Sequence, residues 1–354
     1  MKTTRFTRDG SATLEQQLAD ICHHVGKFIQ QVLPASALEG IALGGGYGRG
    51  EGGVLFHASY QAPYNDMEFF VFVRGPLLIQ QIRWNRALQD LAHRLTERYG
   101  IEIEFKLLTL AKLRRSEPSM FYYDLVMGHH WVMGDDSLFV GCEHHQDPST
   151  IPLHEVTRLL MNRSSGLLFA KVRLSHPDFT AEDADFVARN LAKAQLALGD
   201  VLLATHGQYH WSCIERHRRL QCQSLPFDFS DHHAAGVEFK LHPTRSSAKR
   251  EELVDRHQSL TTATKTLFLW LESRRLGVAF PTLESYANST IDKCPETQPT
   301  RNRLINFRQF GVRSLNNPRY PRQRLLHGLC DLLWGASTDQ HAISAYVQLW
   351  QRFN

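Results

Sequence analysis

The chain has 354 residues, enough for two domains with sizeable cores at about 150 residues each. With 42% hydrophobic and 21% charged residues and no biased tract, it falls outside the fibrous and disordered classes. Forty Lys and Arg against 36 Asp and Glu leave a net charge of +4, too small to mark a nucleic-acid binder by itself, and 19 histidines make that charge sensitive to pH.

No apolar run approaches the roughly 18 residues that cross a bilayer, and the first ten residues lead into no apolar signal core, so a cytoplasmic chain with no membrane partner is expected. Six cysteines, Cys22, Cys142, Cys213, Cys222, Cys294 and Cys330, are sparse and irregularly spaced, which predicts reduced and mostly buried thiols. The groups His129-His130, Cys142-Glu143-His144-His145 and His232-His233 repeat no zinc-ligand frame.

Residues 14–33 repeat apolar positions at helical spacing and stop at Pro34, predicting a helix. A short strand, Ile41–Leu43, runs into a glycine-rich turn. The next strand, Met67–Val73 (MEFFVFV), is apolar along most of its length, as a buried strand is. An amphipathic helix spans Leu77–Tyr99 and ends at Gly100; the segment IEIEFKLLTL after it alternates charged and apolar residues as a strand does. From about residue 150 the pattern becomes helical, with helices expected at His154–Leu174, Ala181–His206, Trp211–Gln221, Arg250–Leu276, Tyr320–Trp334 and Gln340–Phe353. The expected organisation is α+β, with a mixed sheet flanked by helices over 1–150 and an all-helical domain over 151–354.

Seven of the ten residues Gly44–Gly53 (GGGYGRGEGG) are glycine, so backbone amides there can approach a ligand with no side chain between, an arrangement suited to phosphate. Asp66 and Glu68 follow at the start of the next strand. Side chains two apart share a strand face about 7 Å from each other, and two like charges there call for a counter-ion. The second strand adds Glu102 and Glu104 on one face, and one of them, with Glu104 favoured by the apolar run behind it, would complete a three-oxygen set for Mg²⁺. A glycine loop for phosphates beside acids for one or two metals is the apparatus of displacement at phosphorus.

The same turn also reads as Gly48-x-Gly50-x-x-Gly53, the dinucleotide fingerprint, but the segment after it contains Pro63 and no helical period, so no phosphate-capping helix follows. Neither a P-loop nor a G-x-S-x-G elbow occurs.

On these residues the chain resembles the nucleotidyltransferases of the DNA polymerase beta superfamily, in which a Gly-Gly or Gly-Ser turn precedes an Asp-x-Asp/Glu strand and a third carboxylate lies on a later strand. Gly45-Gly46-Tyr47-Gly48-Arg49-Gly50-Glu51 is most similar to the turn of the uridylyltransferases that modify the PII protein, and the likeness covers roughly residues 38–110. The resemblance implies a nucleotidyltransferase sheet followed by a helical domain. It implies that Asp66, Glu68 and Glu104 hold two Mg²⁺ ions, and that Gly45, Gly46, Tyr47, Gly48 and Arg49 bind the phosphates of an NTP, ATP being the choice by abundance. A hydroxyl of a small molecule or protein would attack the α-phosphate and pyrophosphate would leave. Lys193 or Arg189 is the expected helical-domain cation for the triphosphate, and Asp200 a candidate base.

Between Pro299 and Cys330 stand seven arginines, Arg301, Arg303, Arg308, Arg313, Arg319, Arg322 and Arg324, with no acid and with Phe307, Phe310 and Tyr320 interleaved. This basic stretch suits a surface for RNA, a phosphorylated partner or an acidic protein. Two further readings are therefore a regulatory NTP-binding protein without catalysis and an RNA-modifying nucleotidyltransferase.

Overall fold

The computed structural model describes residues 5–64, 66–246 and 248–354, and these form two compact units. The first contains residues up to Ile151 together with His206–Leu225 and Val237–Thr244. The second contains Pro152–Thr205, Pro226–Gly236 and Arg245–Asn354. The change of texture near residue 150 coincides with the end of the first unit's leading segment. The expectation of one uninterrupted domain from 151 onward is corrected, because two later segments return to the first unit.

In the first unit, α1 (Ala12–Val32) is capped by the Ser11 side chain accepting from the Leu14 amide, and it buries Leu14, Leu18, Ile21, Cys22, Val25 and Ile29 at helical spacing. After it come β1 (Leu38–Leu43), the single-turn helix α2 (Gly45–Gly48), a hairpin of β2 (Val54–Phe56) and β3 (Gln61–Pro63), β4 (Met67–Val73), α3 (Leu77–Tyr99) and β5 (Ile103–Leu108). Two short helices, α4 (Leu110–Arg115) and α5 (Met120–Met127), lead to β6 (His130–Met133). The four-stranded sheet has the order β5-β4-β1-β6. β4 and β5 are parallel, joined through α3 as a parallel pair requires, and β1 is antiparallel to both its neighbours. The fold class is α+β with a mixed sheet.

Alternation along β4 divides the core. Met67, Phe69, Val71 and Val73 face the layer of α1 and α3, while Phe70 and Phe72 join Leu110, Leu113, Leu125, Val126 and Phe139 on the other face. Glu68 is in phase with Phe70 and Phe72, and Glu104 and Lys106 with Leu108. The charged end of that second face is where the site lies.

Among the described residues, every strand ends before Gly134, and the remainder is helical: α6 (Leu153–Leu174), α7 (Ala181–Thr205), α8 (Cys213–Cys222), α9 (Ser230–Leu241), α10 (Arg250–Leu276), α11 (Leu283–Ala287), α12 (Pro299–Phe310), α13 (Arg322–Leu332) and α14 (Gln340–Phe353). In the second unit α6 and α7 pack together, α10 packs on both, and α13 packs on α6 and α14. Glu272 is fully buried there and fully satisfied: Arg275 donates to it at 2.7 and 2.8 Å, Thr157 Oγ1 at 2.7 Å and the Tyr286 hydroxyl at 2.8 Å. All six cysteines are free, with Cys222 exposed and the other five buried. Among the described residues no helix is long and apolar enough to cross a membrane.

Candidate functional site

The β4 and β5 register sets Glu68 opposite Glu104. Asp66, two residues before Glu68, completes a cluster in which one oxygen from each of the three carboxylates lies within 4.8 Å of the others, all three groups being half-buried. Register also decides between Glu102 and Glu104: Glu104 joins the cluster, while Glu102, just before β5, is exposed and engages β4 through its carbonyl, which accepts from the Met67 amide at 2.8 Å.

The glycine turn abuts the same carboxylates. The Gly44 amide donates to the Glu68 carbonyl at 2.9 Å, and α2 starts immediately after it. A first helical turn leaves its amides without intrahelical acceptors. Gly45 has φ +62°, and a Cβ built on it would come 2.8 Å from Glu68 Oε2. Only glycine keeps that space open. Other glycines answer to packing alone: a Cβ on Gly48 would meet the Leu43 carbonyl at 2.2 Å, and one on Gly52 the Tyr47 ring at 2.0 Å.

Burial, then Glu68 beside it, with Glu104 and Glu102 adding, hold the Asp66 carboxyl above the usual aspartate value. A fourth group answers the crowding. Lys106, two residues beyond Glu104 and on the same face, pairs with Glu68 and lies 3.3 Å from Glu104. Burial works to lower the Lys106 pKa, yet the two carboxylates carry it above the ordinary lysine value. Lys106 was not singled out from sequence, although its phase in IEIEFKLL is the signal that finds it.

Two residues expected at the phosphates have side chains committed elsewhere. Tyr47 is fully buried; its hydroxyl donates to the Gly53 carbonyl at 3.0 Å and accepts from the Tyr64 amide at 2.9 Å, tying the turn to the hairpin strand β3. Arg49 donates to Asp124 Oδ2 at 2.9 Å. The side chains of Tyr47 and Arg49 thus hold the turn together. Lys193 and Arg189 lie on α7 of the second unit, where Arg189 pairs with Asp185 at 3.2 Å. Asp200, the candidate base, is buried on the same helix and meets the fully buried His233 ring at 3.1 Å, which makes it a structural pair.

Glu51, read only as part of the turn, has its own role. Its carboxylate accepts from Ser212 Oγ and from the Cys213 amide at 2.9 Å, capping the N-terminus of α8. Burial would raise its pKa, but Lys240, the Ser212 and Cys213 hydrogen bonds and Arg216 hold it below the usual glutamate range. Arg216, itself buried, donates to the carbonyls of His210 at 2.6 Å and Trp211 at 3.1 Å. By these contacts residues 206–225 join the first unit.

A donor set of three carboxylate oxygens is the chemistry of Mg²⁺. Three negative charges against the Lys106 ammonium leave two uncompensated, the charge of one divalent cation, and Gly45 keeps the approach to Glu68 clear. The residues fit the metal. No family model matches the chain, and no curated protein matches it.

Proposed function

We propose that the chain is a metal-dependent nucleotidyltransferase that moves an NMP from an NTP, ATP by abundance, to a hydroxyl of a small molecule or protein with release of pyrophosphate. One observation carries the reading: Asp66, Glu68 and Glu104 converge to within 4.8 Å of one another beside a glycine turn in which Gly45 lies against the Glu68 carboxylate. In this reading Asp66, Glu68 and Glu104 hold the Mg²⁺ ions. When bound, the metals polarise the α-phosphate and lower the pKa of the attacking hydroxyl.

The chain's own groups do the rest. The amides of Gly45 and Gly46, at the head of α2, receive the β- and γ-phosphates. Glu104, more exposed than Glu68, is the group placed to take up a hydroxyl proton. Lys106 offsets the charge of Glu68 and Glu104 and would be within reach of a departing pyrophosphate. Tyr47 and Arg49 keep the turn in shape.

A second reading, a regulator that binds NTP without transfer, is favoured by the same Lys106: an ammonium seated between Glu68 and Glu104 competes with the metal for its own ligands.

Titration calorimetry of the wild type and the Asp66→Asn/Glu68→Gln variant with each of the four NTPs, with and without Mg²⁺, tests the proposal. Magnesium-dependent binding that the variant loses is expected, and pyrophosphate release from the NTP that binds then separates enzyme from regulator. A folded wild type that binds none of the four overturns both readings.

A further inference from the structure

In the second unit, α12 is built inside out. Its buried residues are Asn302 and Asn306, one turn apart on one face. Asn302 Nδ2 donates to Thr297 Oγ1 at 2.8 Å and to the Pro318 carbonyl at 2.9 Å; Asn306 Nδ2 donates to the carbonyls of Asn317 at 3.0 Å and Arg319 at 2.7 Å. The two amides thus clamp the returning segment 311–319 against the helix with polar contacts, where an ordinary amphipathic helix would bury its apolar residues. The apolar residues face out instead. Leu304 is 48% exposed and Phe307 39%, and the clamped segment adds Val312 at 74% and Leu315 at 45%.

The charges carried by this stretch itself have one sign. The stretch from Pro299 to Cys330 holds seven arginines and neither a lysine nor an acid. Arg319 pairs with Asp292 at 3.5 Å, Arg322 with Glu296 at 4.0 Å, and Arg324 stacks over the Phe310 ring at 3.9 Å. The remaining four, Arg301, Arg303, Arg308 and Arg313, are exposed and make no ion pair among the described residues. At 100° per residue, Arg303 falls on one side of the Leu304 and Phe307 stripe, and Arg301 and Arg308 fall on the other.

We infer that this face lies in the headgroup layer of an anionic phospholipid surface, with Leu304 and Phe307 entering the acyl boundary and the exposed arginines meeting the lipid phosphates and carboxylates. A central apolar stripe with cations on both flanks fits a plane: the guanidinium stems lie along the apolar layer while their heads reach the charged one. Charge complementarity selects the anionic surface, since Arg303, Arg308 and Arg313 are exposed and make no ion pair among the described residues. RNA is the poorer match because three of the four exposed apolar side chains are aliphatic and offer bases no ring to stack on. Such a helix lies along the bilayer, so the inference is independent of whether any segment crosses one.

Co-sedimentation of the full chain with vesicles tests it. The chain is expected to pellet with mixed phosphatidylcholine and phosphatidylserine vesicles at low salt, to be released as salt rises, and to stay in solution with phosphatidylcholine alone. Arg303→Gln/Arg308→Gln/Arg313→Gln should lower partitioning about a hundredfold. Leu304→Asn/Phe307→Asn should lower it about tenfold. Arg86→Gln/Arg94→Gln, on the exposed face of α3, should leave it unchanged. All the substituted side chains are exposed, so far-UV circular dichroism should match the wild type in each variant. Equal pelleting with both vesicle types, no pelleting, or binding that survives the α12 variants overturns the inference. Binding to poly-L-glutamate or poly(U) without vesicle binding overturns it in favour of an acidic protein or RNA.

Discussion

Two carboxylate sites border the glycine turn, and the protein treats them in opposite ways. At Glu51 one buried acid is surrounded by donors, the Ser212 hydroxyl and the Cys213 amide, with Lys240 and Arg216 nearby, and its pKa is held down. At Asp66, Glu68 and Glu104 three half-buried acids crowd one another with a single ammonium between them, and the Asp66 pKa is pushed up. A carboxylate that is part of the scaffold is paid in hydrogen bonds. A carboxylate set left short of positive charge is what the proposed metal would complete, and burial and pKa direction separate the two kinds of acid when residue type does not.

The comparison is broken most directly by Asp66→Asn. It removes one ligand charge at constant shape, so NMP transfer should fall by about a hundredfold or more while the melting temperature holds or rises, because a repelled carboxylate is gone. Steady-state pyrophosphate release and a thermal melt check the two halves. Unchanged turnover would remove Asp66 from the site.

Glu51→Ala should do the reverse. It leaves the buried Cys213 amide without its acceptor and Arg216 short of a counter-charge, and should cost about 3 kcal/mol in denaturant unfolding. Lys106→Met is expected to tighten Mg²⁺ binding by about fivefold to tenfold, since the internal competitor leaves; calorimetry with Mg²⁺ alone reads this, and weaker binding would show that Lys106 supports the metal.

The smallest effect is in pH dependence, where the two sites have opposite signs. Glu51 has a folded pKa below its unfolded value of 4.5, so its contribution to stability is fully present above that value and is lost as pH falls through the folded one. Asp66 has a folded pKa above its unfolded value of 3.8, so its protonation favours the folded chain, and Mg²⁺ competes with that proton at a higher pH than an ordinary aspartate would allow. Unfolding midpoints of wild type and Glu51→Gln should therefore converge as pH drops below 4.5. Mg²⁺ affinity should begin to weaken while Glu51 is still ionised.

The carboxylate cluster was legible because period two is unambiguous: Asp66 and Glu68 share a face in any strand, and register then chooses Glu104 over Glu102. The long helices were legible for a similar reason, and the spans of α10 and α14 match to the residue. What escaped the sequence lacked a period or a local partner. β6 is four residues long and only half-buried throughout, α9 has no clear apolar face, and β2 and β3 are three residues each, with Pro63 ending the second. α12 escaped because its buried positions are asparagines, which read as surface. The role of Glu51 could not be read at all, since its partners lie more than 160 positions away and nothing in GRGEGG announces them.

The return of residues 206–225 and 237–244 to the first unit also has a consequence for how the chain is made. A ribosome delivers the sheet, the turn and Glu51 first, yet the helix that Glu51 caps begins at Cys213 and the unit's last strand of chain ends at Thr244. At about 5 to 20 residues per second, several seconds of synthesis separate Ile151 from Thr244. During that interval a buried acid waits without its donors, so the nascent first unit is the stage at which a chaperone would be needed, and truncation at the apparent boundary near 150 would strand the chain there.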